Sequence, residues 1–523
     1  MLQPDVILLQ SPGPDTPAII IPPAPGTSSD TLQVSFKRLG ELVVRAQESL
    51  ARLGITPGSR VALALPNGIE FVIVFLALIR QRAVTAPLNP DAKYNEQAQM
   101  LERIRPSYTI ISRDARQSLP VVDACEALRV PVAECSWDEV AQEVLLLGPP
   151  AQQDFLPAPP AGIVAPEDVS PDDIVLLHYT SGTTGLPKAV GLTHAVILAS
   201  VRILVRAHAL LPEDRTMIVA PFFHVGGTCS SLLCGLAAGG CAIIPRSLSG
   251  TVWHQFKEFG ATWYHAVPTM HRLLLSFPRP AGGVPIRFVR SGGSSISGDL
   301  IAQIESALGC PVLEGYGMTE TVQAVLCNRV GGSDDRVPGH YPVPEELEVK
   351  IRISDGGDQQ PCRLTDQPGQ TGEVCIRGAC VIPGYLDGPP DVNRDVFHDG
   401  FFRTGDLGVL HANGWLQVTG RIKEMINKGG EKISPLEIEH MILAHDAVHQ
   451  VACFKVPDET YGEDIGVAVI VKSGCDLTSL DIKRFVRQQS ANFNVPKKVT
   501  FVDSIPKNRS GKYVRAALTE RFG

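Results

Sequence analysis

Short apolar runs alternate with helical stretches over most of the chain, and this alternation constrains the fold more than any other feature of the sequence. Residues 60–65 are typical of a strand, residues 68–80 of a buried helix and residues 83–88 of the next strand. The same order returns in the segments 216–220, 230–238, 241–245, 252–259 and 262–266. Repeated strand–helix units predict an α/β fold with parallel sheets that helices cover on both faces.

The pattern changes along the chain, and a length of 523 residues is too great for one hydrophobic core. Prolines cluster between residues 148 and 171, which indicates a surface linker. From residue 347 to residue 420 the chain contains short strand-like pieces broken by glycine and proline, so we expect a small β-rich subdomain there. Charge and glycine are concentrated at residues 420–432, where the folding pattern changes again.

The composition excludes several classes of partner. A net charge of -8 leaves no overall positive charge to attract nucleic acid or anionic lipid, so any phosphate site must be local. The twelve cysteines contain no C-x-x-C pair, which argues against a zinc site or a disulfide framework. The longest apolar run, residues 71–79, is shorter than the ~20 residues of a membrane-spanning helix. Because the ends of the chain show neither a signal peptide nor an S-K-L type address, we expect a cytoplasmic protein.

A polar loop near residue 180 gives the strongest indication of function. It combines four hydroxyl side chains, two glycines and a lysine in the run Thr180, Ser181, Gly182, Thr183, Thr184, Gly185, Leu186, Pro187 and Lys188. The loop follows the strand-like residues 174–177 and precedes a helix-like segment, residues 194–204. Backbone N–H groups, hydroxyls and a lysine suit an anion with several oxygens, most simply a nucleotide phosphate. The spacing is not that of a Walker A loop, and an ordinary polar loop is the alternative.

Two glycine-containing clusters follow strand-like segments and could surround a base. After residues 286–289 come Gly292 and Gly293, which would let a flat ligand approach the backbone closely; a tight turn is the alternative. After residues 311–313 comes a second cluster, formed by Glu314, Gly315, Tyr316, Gly317, Met318, Thr319 and Glu320. Its aromatic ring can stack on a base, and its last carboxylate can hold a magnesium ion whose other ligands are phosphate oxygens. A solvated surface carboxylate is the alternative.

Three further polar clusters lie towards the end of the chain. Asp406 ends a β-rich stretch, and its carboxylate could accept both hydroxyls of a ribose. The segments 420–424 and 427–432 concentrate charge and glycine, and either could be only an interdomain linker. Lys512 belongs to a basic, glycine-containing stretch, residues 506–512, of a kind that is ordinarily a solvated tail.

Taken together in this order, the clusters resemble the adenylate-forming superfamily of acyl-CoA synthetases, adenylation domains and luciferases. The resemblance runs from residue 36 to residue 512, and shorter matching pieces support it at residues 58–63, 65–67, 87–90, 223–227 and 372–378. The branch that looks most similar is the small-acid CoA ligases of the oxalyl-CoA and 4-coumarate-CoA kind, particularly through residues 261–269.

The resemblance implies a role for each matching residue. In similar enzymes the loop from Thr180 to Lys188 handles the β- and γ-phosphates, Thr319 contacts the α-phosphate and Glu320 helps to hold magnesium. Lys512 would stabilise charge during adenylation, and His224 would line the acyl site unless it is a satisfied core residue. The nucleotide would also contact Gly292, Gly293, Glu314, Gly315, Tyr316, Gly317, Asp406 and Arg421. The hinge and the pantetheine channel would be formed by Lys423, Gly429, Gly430 and Lys432.

The same resemblance implies an ATP-dependent acid–CoA ligase that needs Mg²⁺. Such an enzyme joins a small carboxylic acid to AMP, releases pyrophosphate, and then transfers the acyl group to coenzyme A. The expected organisation is a large AMP-binding domain at residues 1–420, a hinge at residues 421–423 and a small, mobile α+β domain at residues 424–523. Two alternatives remain open: a stand-alone adenylation enzyme that loads a carrier protein, and a nonenzymatic homologue that binds nucleotide.

Three places depart from the family pattern or are ambiguous. Residues 331–349 lack the usual G-x-x-G-x-P signature, so we expect the adenine pocket or the subdomain junction to differ there. At residues 321–323, beside the expected acyl pocket, the sequence lacks the histidine expected of a strict oxalate enzyme. A solvated face of one helix, rather than a metal site, is expected for His440, His445 and His449.

Overall fold

Four β-sheets and their helices make up the described part of the chain. The computed structural model describes residues 12–23, 30–113, 120–148, 163–165, 168–180, 188–323, 325–332, 336–353, 362–387, 390–429, 431–508 and 512–523. Two sheets are largely parallel and lie in the N-terminal part, the third is antiparallel, and the fourth belongs to the C-terminal part. The prediction of an α/β fold with a β-rich subdomain and a small C-terminal α+β unit is therefore confirmed.

The first sheet is formed by the N-terminal alternation of strands and helices. Across the sheet its strands are Glu143–Leu147, Val132–Asp138, Tyr108–Ser112, Arg60–Ala64, Val84–Pro87, Ile174–Thr180 and Lys188–Thr193. Neighbouring strands are parallel except at the two edges, where the outermost strand runs antiparallel to its neighbour. The three strands predicted at residues 60–65, 83–88 and 174–177 are present, and the antiparallel edge carries the flanks of the polar loop.

The polar loop lies within a hairpin rather than directly between a strand and a helix. Strand Ile174–Thr180 pairs with Lys188–Thr193, with Thr180 opposite Lys188. Ala189, Val190 and Leu192 are fully buried, so this second strand forms because its apolar residues pack on the core. The expected helix follows as His194–Ala207, with Thr193 as its N-cap. The tip of the loop, residues 181–187, lies outside the described residues.

The second sheet carries both glycine-containing clusters. Across the sheet its strands are Leu326–Cys327, Val312–Tyr316, Phe288–Ser291, Trp263–Ala266, Arg215–Met217, Cys241–Ile243, Pro17–Ile21 and Leu32–Ser35. Phe288–Ser291 and Val312–Tyr316 are parallel neighbours. Because the carboxyl ends of parallel strands meet at one edge of a sheet, the turns that follow them lie side by side.

Helices of the N-terminal part cover these two sheets and form three apolar cores with them. Ten of the twelve residues of Ile69–Arg80 are buried, which is the pattern of a helix enclosed on all sides. Phe36–Arg52 is amphipathic, and the Ser35 hydroxyl accepts from the Arg38 N–H at its N-terminus. The remaining helices here are Tyr94–Ile104, Pro120–Leu128, His194–Ala207, Cys234–Ala237, Val252–Glu258, Pro268–Ser276 and Gly298–Leu308.

The third sheet is the β-rich subdomain. Across it lie His340–Pro342, Trp415–Arg421, Phe401–Leu410, Thr371–Gly378, Leu347–Ile353 and Arg363–Thr365, all antiparallel, with Phe397–His398 beside Phe401–Leu410. The short helix Pro390–Val396 precedes Phe397–His398. The sheet thus begins at His340, a few residues before the expected start at residue 347, because Tyr341 is buried against the same core.

The C-terminal unit has its own sheet and its own apolar cores. Across it lie Glu431–Ile433, Ile426–Lys428, Gly462–Val471 and Val448–Asp458, and Lys498–Phe501 pairs with Gly462–Val471. Its helices are Pro435–Leu443, Ser479–Gln489 and Arg515–Phe522. The buried residues of the sheet form cores separate from those of the N-terminal part. An independent core is what a separately moving domain requires, although the exact boundaries stay a prediction.

One predicted helix, at residues 230–238, is present with a different geometry, and one other local prediction was wrong. Gly226–Leu233 is a π-helix that only then becomes the short α-helix Cys234–Ala237, and apolar periodicity does not separate these geometries. His445 and His449 do not share a helix with His440, because Pro435–Leu443 ends first and His449 lies in strand Val448–Asp458. Most of the expected proline-rich linker, residues 149–162, lies outside the described residues. In the described ranges, no helix combines the length and apolarity needed to cross a bilayer.

Candidate active site

A cavity of about 240 Å³ brings together residues from three parts of the chain. From the second sheet and its turns come Gly293, Gly315, Tyr316 and Gly317; from the third sheet Asp406 and Arg421; from the C-terminal unit Glu439, Lys512 and Arg515. All of these residues except Glu439 and Arg515 were expected from the sequence to belong to the site. The chain therefore assembles one site from residues more than two hundred positions apart in the sequence, such as Gly293 and Lys512.

Glycine at position 293 is required by backbone geometry. Gly293 has φ +84°, in the region that favours glycine, and an added Cβ would lie 3.2 Å from Cγ1 of Val267. Its neighbour Gly292 donates its N–H to the carbonyl of Ala266 at 3.3 Å. This turn therefore lies close against the neighbouring strand, and Gly293 leaves open space on the cavity side.

The wall beside Tyr316 is held by a buried carboxylate. Glu314 accepts from the Gly339 N–H at 2.9 Å and from the Tyr341 hydroxyl at 2.8 Å. Burial raises the pKa of the Glu314 carboxyl. The rings of Tyr316 and Tyr341 stack with centroids 5.8 Å apart. Glu314 thus supports the pocket through Gly339 and Tyr341, both from the segment that departs from the family signature, and both absent from the sequence-based site.

Asp406 is buried and fixed by two donors. The Tyr316 hydroxyl donates to its Oδ2 at 2.7 Å, and Nε of Arg421 lies 3.0 Å from its Oδ1. Burial raises the pKa of the Asp406 carboxyl, while the charge of Arg421 opposes that rise. Asp406 and Arg421 face each other across adjacent strands. The two expected ribose contacts are therefore one cross-strand ion pair at the cavity wall.

Lys512 reaches the cavity from the C-terminal unit. Its backbone N–H donates to Oδ1 of Asn508 at 2.9 Å. Burial lowers the pKa of the Lys512 ammonium, Arg421 lowers it further, and Asp406, Glu424 and Glu320 oppose the shift. Within the described ranges no carboxylate forms an ion pair with this ammonium. Its charge therefore remains available to an anion in the cavity.

Glu320 and Tyr385 contact the two ends of the polar hairpin. The Tyr385 hydroxyl donates to its Oε1 at 2.7 Å, and the Thr180 hydroxyl approaches the same oxygen at 3.5 Å. Nζ of Lys188 lies 4.6 Å from the centroid of the Tyr385 ring. Burial lowers the pKa of Lys188, and the charge of Glu320 opposes the shift. Thr319 begins the short 3₁₀ turn that contains Glu320; the loop residues Ser181, Gly182, Thr183, Thr184 and Gly185 lie outside the described residues.

The surroundings of Glu320 fit a magnesium ion that arrives with phosphate. Oε2 of Glu320 has no hydrogen-bond partner among the residues that the structure covers, while Oε1 is held by Tyr385. Mg²⁺ in nucleotide sites is usually held by one or two carboxylates together with substrate phosphates and waters. In the covered ranges, no group of three acidic, histidine or cysteine side chains could hold a metal alone.

His224 interacts electrostatically with Lys512 and with a second histidine, His178. Burial lowers the pKa of His224, and the charge of Lys512 lowers it further. Burial also lowers the pKa of His178 to about 3, with a smaller contribution from His224. His224 is thus close enough to Lys512 to feel its charge, and its place in the acyl site stays a prediction.

Arg515 fixes the segment after Lys512 to the expected hinge. Its Nε donates to Glu424 at 2.9 Å, and its other nitrogens donate to Glu439 and, at 2.6 Å, to the Cys453 carbonyl. Glu424 ends the 3₁₀ turn Ile422–Glu424, which contains Lys423. Sequence reasoning missed this cluster, and its only signal was a second basic residue three positions after Lys512.

The expected pantetheine residues lie on a hairpin outside the cavity. Gly429 has φ +61° and donates its N–H to the Tyr461 carbonyl at 3.0 Å. Lys428 forms an ion pair with Asp464 at 2.6 Å, which anchors the hairpin. None of the cavity-lining residues comes from this hairpin. Gly430 and the side chain of Lys432 lie outside the described residues.

Comparison with known proteins gives one family over nearly the whole chain. Residues 11–386 match the family described as AMP-binding enzyme, and residues 437–512 match the AMP-binding enzyme C-terminal domain. The acyl-CoA synthetase FUM10 of Gibberella moniliformis is 43% identical, covering 97% of this chain and 96% of the relative. An oxalate–CoA ligase of Arabidopsis thaliana is 37% identical, covering 94% of each chain.

Solved structures give the same result for the fold. The crystal structure of ATP-bound MatB from Rhodopseudomonas palustris superimposes with a TM-score of 0.83 at 26% identity, covering 99% of this chain and 97% of the other. The apo structure of the same protein superimposes with a TM-score of 0.76 over the same coverage. The present arrangement is therefore more similar to the ATP-bound form than to the apo form.

Proposed function

The chain belongs to the AMP-binding enzyme family and is an acid–CoA ligase, and we propose that it forms its acyl-adenylate in the cavity that Lys512 shares with Tyr316 and Asp406. The observation that carries this proposal is the position of Lys512. This lysine lies near the end of the chain, yet it lines the same cavity as the glycine-containing turn after Val312–Tyr316. A buried ammonium beside a nucleotide-type turn suits an anionic transition state.

The chemistry needs positioning and charge neutralisation rather than a covalent nucleophile. One oxygen of the acid's carboxylate attacks the α-phosphorus of ATP, the bond to the β-phosphate oxygen breaks, and pyrophosphate leaves with the electron pair. The product is a mixed anhydride of the acid and AMP. Lys512 neutralises charge as pyrophosphate leaves, while Asp406 and Arg421 orient the ribose and Tyr316 lines the base. The hydroxyl- and lysine-rich loop from Thr180 to Lys188 receives the outer phosphates.

Magnesium is proposed to bind at Glu320. Its Oε1 is oriented by Tyr385 and its Oε2 faces no described donor, so one carboxylate oxygen is available to the ion. A bound Mg²⁺ would neutralise phosphate charge in this site. Thr319, in the same short turn, is proposed to contact the α-phosphate.

The second half-reaction is proposed to need a rotation of the C-terminal unit about residues 421–423. The thiol of coenzyme A attacks the acyl carbon, the bond to AMP breaks, and a CoA thioester and AMP result. In the present arrangement the hairpin with Gly429 lies outside the cavity. Rotation about Lys423 would present Gly429, Gly430 and Lys432 to the pantetheine arm.

The acid is proposed to be short and to carry a second charged group. This follows from the relative named an oxalate–CoA ligase, which covers almost the whole chain at 37% identity. Buried polar side chains beside the expected acyl site, Ser230, His265 and Gln323, support a polar acid rather than a long apolar one.

A pyrophosphate-exchange assay with ATP, Mg²⁺ and a panel of acids tests the proposal. We expect exchange with oxalate, malonate or succinate to exceed exchange with acetate, butyrate and octanoate. Adding coenzyme A should give a thioester and AMP, whereas a carrier protein with a phosphopantetheine arm should give none. Pyrophosphate exchange without thioester formation from coenzyme A would contradict the assignment of coenzyme A as acceptor. The absence of exchange with every acid would contradict the proposed adenylation site.

A further inference from the structure

One part of the cavity is basic and is lined from both units of the chain. Arg272 lines it from helix Pro268–Ser276 of the N-terminal part. Lys507 and His440 line it from the C-terminal unit, with His440 on helix Pro435–Leu443. Neither Arg272 nor Lys507 is among the proposed contacts of the nucleotide. Two cations, one from each unit, therefore line the same space without an assigned role.

The charge of Arg272 is not compensated within the protein. In the described part of the chain its guanidinium has no hydrogen-bond or ion-pair partner, although the residue is only partly exposed. Burial lowers the pKa of Arg272, and the only group that opposes this shift is the Tyr513 hydroxyl. That hydroxyl is neutral at pH 7, because burial raises the pKa of Tyr513 to about 12. An arginine withdrawn from water is ordinarily paired, so an unpaired one favours an anionic ligand.

The carboxylates of the cavity are paired with other cations. Asp406 pairs with Arg421. Arg515 pairs with both Glu424 and Glu439. Among the described residues that line the cavity, these three are the only carboxylates. The protein therefore supplies no anion to the basic part of the cavity, and a ligand can supply one.

Lys507 is held in place beside the segment that carries Lys512. Its Nζ donates to Oε1 of Gln450 at 3.0 Å and lies 5.5 Å from the centroid of the Tyr513 ring. Lys507 and Tyr513 form an antiparallel β-bridge. Next to that bridge, the Asn508 N–H donates to the Lys512 carbonyl at 2.8 Å. The positions of Lys507 and Lys512 are therefore coupled through the backbone.

The two cations repel each other when no ligand lies between them. Burial lowers the pKa of Lys507, and the charge of Arg272 lowers it further. The pKa of the exposed His449 is lowered by burial and then by the charges of Arg272, Lys472 and Lys507, so the positive potential extends beyond the cavity. Because Arg272 and Lys507 belong to different units, their repulsion opposes the present arrangement. An anion between them would stabilise it.

We propose that Arg272 and Lys507 form a binding site for a free phosphate-type anion, either inorganic phosphate or the diphosphate that adenylation releases, which joins the two units. The anion accepts hydrogen bonds from the forked guanidinium of Arg272, the ammonium of Lys507 and a ring N–H of His440. Its binding stabilises the arrangement in which Lys512 lines the cavity, and so delays the rotation of the C-terminal unit. The binding itself is independent of the proposed function, and only this delay rests on it.

Titration calorimetry with inorganic phosphate tests the site without an activity assay. The protein is first saturated with AMP, so that the contacts of the nucleotide are occupied. We expect Arg272→Gln and Lys507→Gln each to weaken phosphate binding about 10- to 100-fold, the loss of a hydrogen bond to a charged group. The control Arg279→Gln removes an exposed arginine that follows the same helix and lies outside the lining, so it should leave the affinity unchanged.

A second titration distinguishes the two sources of the anion. Methylene diphosphonate is a diphosphate that cannot re-form ATP. Tighter binding of this compound than of phosphate, with the same loss in Arg272→Gln, would identify diphosphate as the ligand. Tighter binding of phosphate would identify inorganic phosphate, and either result supports the site.

A single-turnover assay of thioester formation from acyl-adenylate and coenzyme A measures the delay. Saturating phosphate should slow this step in the wild type about 3- to 10-fold relative to chloride at equal ionic strength, because it binds one arrangement in preference to the other. The same phosphate should not slow Arg272→Gln. Without phosphate, this variant should form thioester within about threefold of the wild type.

The outcomes separate this inference from the proposed function. A wild type that does not bind phosphate, or that binds it no more tightly than Arg272→Gln and Lys507→Gln, overturns the site. Phosphate that binds through Arg272 without slowing thioester formation overturns the delay. If one variant fails to fold, the other carries the test. A protein that binds phosphate through Arg272 but adenylates no acid contradicts the proposed function and supports the anion site.

Discussion

Lys512 is a buried cation whose nearest charges do not cancel it. Arg421 repels its ammonium, while Asp406, Glu424 and Glu320 attract it from a distance. Asp406 is itself paired with Arg421, and Glu424 with Arg515, so neither carboxylate is free to pair with Lys512. Such a cation can be neutralised fully only by an incoming anion, which is the electrostatic requirement for stabilising a polyphosphate.

The lowered pKa of Lys512 predicts the pH dependence of adenylation. The protonated ammonium is the active form, so the rate falls as pH rises through its pKa; because burial lowers that pKa, the fall begins at lower pH than for an ordinary lysine. Glu424 raises this pKa, so Glu424→Gln should move the alkaline limb to still lower pH. The measurement is the pH profile of pyrophosphate exchange.

An exposed lysine provides the control for that profile. Lys498→Gln, on the edge strand Lys498–Phe501, should leave the alkaline limb where it is in the wild type. An alkaline limb that moved upwards in Glu424→Gln would contradict the electrostatic account.

Some residues of the candidate site could be predicted from the sequence because they lie in recognisable motifs, and others could not. Lys512, Glu320 and Asp406 lie within motifs whose order along the chain is readable, and Lys512 and Asp406 line one cavity. Tyr385 and Arg515 act through side chains from other elements, and nothing in their local sequence specifies those contacts. Their roles follow only from packing across sheets.

At the scale of elements, the first turn of the π-helix Gly226–Leu233 depends on one glycine. The Gly227 N–H donates to the His224 carbonyl at 3.0 Å. A Cβ on Gly227 would lie 2.3 Å from the carbonyl oxygen of Pro221, so a side chain there forces the backbone to move. His224 precedes this turn and Ser230 lies on the same helix, so we expect its geometry to position one wall of the proposed acyl site.

Gly227→Ala should therefore destabilise the protein. We expect a loss of about 2 kcal/mol in the free energy of unfolding, as for overpacking against a rigid neighbour. Chemical denaturation monitored by tryptophan fluorescence measures it. The matched control is Gly40→Ala in helix Phe36–Arg52, where an added Cβ meets nothing within 4 Å and should stabilise by about 0.5–1 kcal/mol. Equal stability of the two variants would contradict the clash.

Helices and strands were predicted correctly where the apolar pattern was long. They were not predicted where two backbone geometries have the same apolar pattern. Ile69–Arg80 and Arg60–Ala64 agree with prediction because a buried helix and a buried strand differ in length. The π-helix Gly226–Leu233 has the composition of an α-helix. The strand Lys188–Thr193 was missed because its apolar residues directly precede a helix of similar composition.

At the scale of the whole molecule, the order of motifs predicts one site but not how the C-terminal unit is placed. The family and the division into a large N-terminal and a small C-terminal part were predicted from the motifs, and both are confirmed. The closer superposition on ATP-bound than on apo MatB, at TM-scores of 0.83 and 0.76, agrees with Lys512 lining the cavity. The domain boundaries, the rotation about residues 421–423 and the cytoplasmic location stay predictions.

The central claim is that Lys512 serves adenylation and not thioester formation, and two single-turnover assays of Lys512→Ala test it most directly. With ATP and the acid, the variant should form acyl-adenylate about 10²–10³-fold more slowly than the wild type, because one charge that stabilises the transition state is lost. With acyl-adenylate and coenzyme A supplied, it should form thioester within about threefold of the wild type. Adenylation at the wild-type rate, or an equal loss in both steps, would contradict the account.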